Sequence, residues 1–484
     1  MSPLVLPVAL PWVGAALLAL LPRLRHAAAV NCAVSAATLL LALWAAASPY
    51  AADGVLHTDA LNLPLLLVAA VVGASTSVYS AAYVATLGYD AARVRVYHAA
   101  FQGFMGAVML ALLADNLGVT WVAIEAATLA SVMIVALPRT AGAIAAAWKL
   151  FILCGVGIGL ALFGTVVLYL AGQPFTGGGM KGLSWAALRA AAPLADPGVL
   201  NLAFVFLLVG YGTKAGLVPL HSWLPDAESE GPTPITAVLS GLLLNAALHA
   251  VLRAKAVVGA NPGAIPPGTL LLALGLASVL LAALSLSRRR DARRFFAWSS
   301  IEHMGLAAFA FGLGGAASLA GLVHMAGHSL LKSAVFFGVG RAAQRKGSQR
   351  IDAIGGLVVN HPALGWALAA AIAGLAGLPP FALFASEFAL LTDAAARAPL
   401  AVAVLALGLV VAFAALVGIL QSLCLGTPTP EPAAPTANRA AGGPRTDWAT
   451  VGPMLLHLLL ALGLGVALPE AAGAVLRAGA ALAG

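Results

Sequence analysis

The feature that most constrains this chain is a succession of apolar runs, each about as long as a bilayer is thick. A helix rises about 1.5 Å per residue, so roughly twenty apolar residues cross a hydrocarbon core of about 30 Å. Such runs lie near residues 3–21, 27–47, 61–86, 98–114, 116–137, 147–171, 199–220, 233–257, 268–287, 294–314, 317–341, 363–394, 399–425 and 450–478. Hydrophobic residues fill 62% of the 484 positions and charged residues only 9%, too few charges to coat a soluble domain of this length. The ten-residue alternation of an outer-membrane barrel is missing. The sequence predicts an all-α, polytopic integral membrane protein of about fourteen transmembrane helices.

The basic residues test that count. Arg23 and Arg25 follow the first run, Arg93 and Arg95 the third, and Arg139 the fifth. Arg288, Arg289, Arg290, Arg293 and Arg294 follow the ninth, Arg341, Arg345, Lys346 and Arg350 the eleventh, and Arg439 and Arg445 the thirteenth. The opposite connections are short and neutral or acidic, as at Asp53 and Asp59. Cytoplasmic connections retain Lys and Arg, so the alternation places both termini on the outer face of a bacterial cytoplasmic membrane. Arg23 and Arg25 come after the first run, so it is expected to be a span with its N-terminus outside and not a cleaved leader. The net charge of +8 therefore belongs to loops at a membrane surface and not to nucleic-acid binding. One connection departs from the pattern: Asp226, Glu228 and Glu230 follow the seventh run and are expected in a solvated loop or a partner-docking surface. Thr427–Arg445, rich in Pro, Ala and Gly, is expected to be a flexible loop.

Two spans are interrupted. The seventh ends through Gly216, Pro219 and Pro225, and the twelfth contains Gly374, Gly377, Pro379 and Pro380 before resuming at Phe381–Phe388. Proline removes a backbone donor and opens the helix ladder. Interruptions five spans apart predict two inverted five-helix repeats, with broken helices 7 and 12, and mark an ion path. The expected organisation is 1–97 for helices 1–3, 98–257 for the first repeat, 258–425 for the second, and 426–484 for a cytoplasmic loop and helix 14.

Ionisable groups at membrane depth carry the functional expectation. A charge in mid-bilayer costs about 2.5–3.5 kcal/mol, so Glu125, Lys214, Lys332 and Glu387 together cost on the order of 10–14 kcal/mol if unpaired. Glu125 and Lys214 are expected to pair; moving the carboxylate would load or release the lysine's proton. A static packing pair is the plainer alternative. His324, His328 and Lys332 are spaced by four and share a helix face. That stripe suits proton transfer through water. It suits a metal less well, because the third member is a lysine and no glutamate follows the first histidine. Glu387, after the second break, is expected to mirror Lys214 and to be the exit group. His249, one turn beyond Asn245, is expected to continue the path from Lys214 toward span eleven. Lys149, His221, Glu302 and His303 are accessory candidates; Lys149, Glu302 and His303 are placed nearer helix ends, where snorkelling competes with function. Asp115 is expected to cap a helix connection.

Cys32, Cys154 and Cys424 stand alone, so no disulfide, zinc or iron–sulfur site is expected. Dinucleotide and phosphate-loop motifs are also missing. The chain is expected to do no redox chemistry itself and to bind no cofactor.

Gly212–Pro234, GTKAGLVPLHSWLPDAESEGPTP, resembles the signature of the antiporter-like proton-pumping subunits of respiratory complex I, energy-converting hydrogenases and multisubunit sodium/proton antiporters. Arg293–Gly305, RRFFAWSSIEHMG, and Ala146–Gly164, AAWKLFILCGVGIGLALFG, lean to the hydrogenase-4/formate-hydrogenlyase branch, and the likeness covers nearly the whole chain. The resemblance implies that Glu125 is similar to the helix-five glutamate and Lys214 to the helix-seven lysine. His324, His328 and Lys332 match titratable positions of helix eleven, and Glu387 the terminal group of helix twelve. Asn245 stands where many complex I relatives carry lysine, which makes His249 the candidate bridging group. Partner membrane subunits and a peripheral redox arm holding the cofactors are implied, with protons as the transported ion and sodium as the alternative. A cation/proton antiporter subunit and a membrane component of an inorganic-carbon uptake complex are the rival functions.

Overall fold

In a computed structural model the described residues are 4–20, 26–48, 50–430 and 444–484. Arg23, Arg25 and Arg439 lie outside them, as does the side chain of Arg445. The helices run in chain order as α1 (Leu6–Leu20), α2 (Ala27–Ala47), α3 (Asn62–Ala85), α4 (Ala91–Leu113), α5 (Leu117–Val135) and α6 (Ala141–Thr176). Next come α7 (Trp185–Ala191), α8 (Pro197–Lys214), α9 (Leu224–Glu230), α10 (Thr233–Val258), α11 (Pro267–Leu286), α12 (Ala292–Leu313) and α13 (Ala316–Lys346). The chain ends through α14 (Leu357–Asn360), α15 (Pro362–Leu375), α16 (Ala382–Arg397), α17 (Pro399–Leu420), α18 (Pro444–Val466) and α19 (Glu470–Ala483). Ala52–Asp53 and Leu56–His57 add a two-stranded antiparallel hairpin before α3.

Among the described residues, eleven helices are long and apolar enough to cross a membrane, or twelve if α14 and α15, bent by 118°, form one span. Four of the fourteen expected spans differ in kind, the twelfth because it is broken into the shorter helices α15 and α16. The first is a helix of 15 residues. The tenth, α12, carries Arg293, Arg294 and Glu302. The last divides into α18 and α19. The basic residues expected in connections lie partly on helix ends: Arg93 and Arg95 open α4, Arg293 and Arg294 open α12, and Arg341, Arg345 and Lys346 close α13. Arg341 and Arg345 both pair with Asp447, fastening that end of α13 to α18.

Both interruptions have the same backbone form. Helix α8 stops at Lys214; Gly216 turns left-handed at φ 76°, and Leu217 N–H reaches back to the Gly212 carbonyl. Helix α15 stops at Leu375; Gly377 has φ 70°, and Leu378 N–H reaches the Ala373 carbonyl. This is the helix stop that closes on a left-handed glycine. With the breaks aligned on Gly216 and Gly377, Leu375 stands opposite Lys214, and Asp226 opposite Glu387. The breaks mirror one another; the charges beside them do not.

Helices α10 and α13 are buried along their whole apolar windows and form the centre of the bundle. Residues Leu239–Leu243 of α10 take a π turn, and the Gly241 carbonyl accepts from Ser329 of α13 at 2.6 Å. Around this centre the helices meet through small residues, as expected where packing, not water exclusion, drives association. Large apolar side chains such as Trp44, Val156, Leu284 and Leu407 project outward, as they do toward lipid.

The seam between α6 and α8 sets the position of Lys214. A Cβ on Gly210 would stand 2.5 Å from Ala161 N and 2.6 Å from Gly157 O. Gly210→Val is expected to lower stability by about 1–3 kcal/mol through overpacking. Gly155→Ala, whose Cβ meets nothing within 4 Å, is expected to be nearly neutral. Thermal melts of both variants in detergent check this, and equal melting temperatures would contradict it.

Candidate functional site

The break in α8 puts the Lys214 ammonium at a helix C-terminus inside the bundle, where the carbonyl end of the helix dipole favours a cation. Lys214 is 0% exposed. Glu125 and Thr128 are one turn apart on α5 and both reach it: Lys214 Nζ lies 3.0 Å from Glu125 Oε2 and also donates to the Thr128 hydroxyl. The pair expected between spans five and seven is therefore present. Glu125 keeps 21% of its side chain exposed, so one partner is sealed and the other reaches the protein surface.

A second group lies between α12 and α13. His324, His328 and Lys332 occupy one face of α13 and are all buried, but the links run across to α12 instead of along the stripe. His324 Nε2 meets His303 Nδ1 at 3.2 Å, and the His303 and His328 rings stand 5.3 Å apart. His303 Nε2 lies 3.4 Å from Glu302 Oε2. Glu302 and His303 sit in the middle of α12, each 1% exposed, and not near a helix end. The expected position fails because α12 is not a uniformly apolar crossing: its charged first turn is followed by a helix packed on every side by protein. Lys332 Nζ donates to Ser299 Oγ at 2.9 Å and to the Phe296 carbonyl at 3.1 Å. Among the described residues it has no ion pair.

Glu387, on α16, borders a pocket of about 270 Å³ shared with Glu302 and His303. Its carboxylate sits against the second break, where a Cβ on Gly377 would come within 2.3 Å of Oε2. The neighbouring Ser386 hydroxyl lies 3.0 Å from His324 Nδ1.

His249 does not point the expected way. Arg253 Nε donates to His249 Nε2 at 3.2 Å, and among the described residues His249 bonds neither Lys214 nor α13. Arg253 in turn pairs with Asp59 at 2.5 Å, and Asp59 takes His57 Nε2 at 3.1 Å. His57 stacks on Trp185, which also lies 4.3 Å beneath the Arg253 guanidinium. Burial alone would push the Asp59 carboxyl up; the His57 hydrogen bond and the Arg253 cation outweigh it and hold the group well below the usual carboxylate range. Asp115 belongs to this cluster, 3.9 Å from His57, while Asn116 is the residue that caps α5.

Asn245 donates to Ser329 Oγ at 2.7 Å and to the Met325 carbonyl at 3.2 Å, so it tethers α10 to α13. Lys149 pairs with Asp226 at 2.7 Å, as Arg294 does at 2.9 Å. His221 packs edge-on against Trp298. The acidic connection is not wholly solvated: Glu228 is 0% exposed, because α9 folds back into the bundle. Ser300 donates toward Glu228 Oε2 at 3.4 Å and shares a 2.7 Å contact with Ser240. Glu228, Asp59, Arg253 and Ser386 are the members that sequence reasoning missed. Only Arg253 had a sequence signal, its four-residue spacing from His249. The three cysteines are free.

Residues 114–413 match the family model described as NADH:quinone oxidoreductase/Mrp antiporter, transmembrane. Over 416 residues, 85% of each chain, the protein is 47% identical to a hydrogenase-4 component F homolog of Methylacidiphilum infernorum (isolate V4). Its fold matches a chain of the archaeal membrane-bound sulfane sulfur reductase, with a TM-score of 0.85 and 22% identity over 99% of this chain and 97% of the other. A chain of the Mrp complex from Dietzia sp. DQ12-45-1b matches with a TM-score of 0.83 and 22% identity, over 100% and 97% of the two chains. Five broken or buried helices carrying lysine, histidine and glutamate thus stand on a shared framework, and the chain belongs to the NADH:quinone oxidoreductase/Mrp antiporter transmembrane family.

Proposed function

We propose that this chain is a proton-translocating membrane subunit of a hydrogenase-4-type or complex I-like assembly. The observation that carries this is the contrast between its two buried lysines: Lys214 is ion-paired, and Lys332 is held only by neutral acceptors. Two cations of one chain in opposite pairing states are what a relay needs, since a proton moves when a carboxylate approaches or leaves. Electron transfer in a peripheral arm of partner subunits, which would hold the redox cofactors, supplies the displacement through neighbouring membrane subunits. The organisation into a first repeat over 98–257 and a second over 258–425 is supported by the matching glycine stops.

Protons enter at Glu125, the partner with exposed side chain, and load Lys214. Asn245 cannot bind a proton at neutral pH. The link to the second half therefore runs through the hydroxyls of Ser240 and Ser300 and the Glu228 carboxylate, bridged by water, to Lys332. From there the path follows His328, His303 and His324 to Glu387, whose pocket is the exit. His249, Arg253, Asp59 and His57 form a separate polar lead to the hairpin end of the bundle. Lys149 and His221 border the path without joining it.

Lys214→Ala or Glu125→Gln is expected to leave the complex assembled and to cut proton pumping in inverted vesicles on the order of a hundredfold or more, the scale of a lost proton-transfer group. Wild-type pumping by both variants would refute the assignment; flux that requires sodium would favour the antiporter alternative.

The Asp59 cluster has its own signature. A carboxyl with a depressed folded value stabilises above the unfolded value of about 3.9 and loses that contribution as pH falls through the folded one. The wild-type protein should therefore hold the full contribution above about pH 5 and lose it progressively as pH falls below about 4 toward the depressed folded value. Asp59→Asn strands the 2%-exposed Arg253 and is expected to cost about 2–4 kcal/mol at neutral pH. Melting curves against pH check both.

Both termini are proposed to face outward across the cytoplasmic membrane of a bacterium. In a cysteine-free background, an impermeant maleimide on intact cells is expected to label Pro262→Cys and to spare Leu87→Cys. The reverse pattern would invert the orientation.

A further inference from the structure

His303, His324 and Glu387 converge more tightly than proton relay requires. Helices α12, α13 and α16 supply one each, and a ligand atom from each lies within 4.8 Å of the others. Two imidazole nitrogens on one tetrahedral ion, each about 2.0–2.1 Å from it, stand roughly 3.3 Å apart. His303 Nδ1 and His324 Nε2 are 3.2 Å apart. That spacing serves a hydrogen bond between the rings and equally a metal bridging them.

Each outer nitrogen has an oxygen close by. His324 Nδ1 faces Ser386 Oγ at 3.0 Å, and Ser386 is itself anchored to the Leu383 carbonyl at 2.9 Å. His303 Nε2 is buried without a hydrogen-bond partner and lies 3.4 Å from Glu302 Oε2, which is likewise unpartnered. A histidine that binds metal through one nitrogen normally directs the other at a carboxylate or hydroxyl, which fixes its tautomer and ring orientation. His324 has such a partner in Ser386, and for His303 the Glu302 carboxylate stands 3.4 Å from the outer nitrogen, a buried pair left open to each other. The Glu387 carboxylate faces the pocket of about 270 Å³, which leaves a fourth position open and gives an ion a way in. The pair four residues apart on α13 is not what converges; His324 meets a histidine of the neighbouring helix.

We propose that His303, His324 and Glu387 form a binding site for a divalent transition metal of the zinc type, with Glu302 and Ser386 orienting the two histidines. A bound ion replaces the hydrogen bond between the rings and so blocks proton passage at the end of the path. That inhibitory consequence rests on the proposed proton function; the binding itself does not.

The test is titration of the chelator-treated, purified protein with Co²⁺ and then Zn²⁺. One equivalent of Co²⁺ with the intense visible bands of tetrahedral coordination, displaced by Zn²⁺, is expected. Glu302→Gln should weaken binding about 10–100-fold, and His324→Gln and Glu387→Gln by at least as much. His26→Gln, at an exposed position, should leave it unchanged. Each variant is passed first over a sizing column, and Glu302→Gln keeps the site testable should a ligand variant fail to fold. No stoichiometric binding by the wild type, or binding that survives the Glu302, His324 and Glu387 substitutions alike, would overturn the site. Normal pumping by the Lys214 and Glu125 variants alongside intact metal binding would sink the proton path and leave the metal site standing.

Discussion

The placement of Lys214 governs the rest of the structure. A lysine in a continuous apolar helix would carry its full insertion cost with no compensating dipole. Here the helix stops at the lysine, so the residue sits at the negative end of the α8 dipole, and Glu125 and Thr128 hold its ammonium. The stop depends on Gly216, whose φ of 76° a side chain would strain. The distance to α6 depends on Gly210. One buried cation thus dictates a helix end, a left-handed residue and a glycine seam.

The same helix stop is used a second time for a different purpose. At Gly377 the missing Cβ is needed for space as well as for φ, because the Glu387 carboxylate occupies the place where it would stand. The first break therefore stabilises a cation by ending a helix beneath it, and the second admits an anion by thinning the backbone beside it. This explains why equivalent breaks carry non-equivalent charges, Leu375 opposite Lys214 and Asp226 opposite Glu387. The two breaks share a backbone geometry while the charges beside them differ in sign.

Membrane class, helical content and both breaks were legible in the sequence because each follows from local chemistry: apolar run length, and glycine with proline at a stop. The Glu125–Lys214 pair was legible because two opposite charges at membrane depth have few other ways to be stable. What was not legible depended on which helices touch. Glu302 and His303 read as helix-end residues because charged Arg293 and Arg294 lie close by in sequence. Protein surrounds α12 on all sides, and no periodicity reports that. Glu228 read as part of a solvated connection because its neighbours Asp226 and Glu230 do pair with exposed cations. His249 read as a bridge toward span eleven, yet a partner from a loop nearly two hundred residues upstream holds Arg253 beside it.

These misplacements share a cause that bears on mechanism. Polar residues here bond across to another element: His324 to α12, Asn245 to α13, Arg253 to the hairpin region. A stripe confined to one helix can be rehydrated or dried without moving anything else. Links across helices cannot, because any change in the separation of α10, α12 and α13 alters several donor–acceptor distances at once. Under the proposed function, such cross-helix bonding is what would let a rigid-body displacement change the protonation of groups it never touches. The bilayer makes this coupling effective: with little water to take over a broken hydrogen bond, a small shift between helices leaves a polar group either paired or in need of a proton.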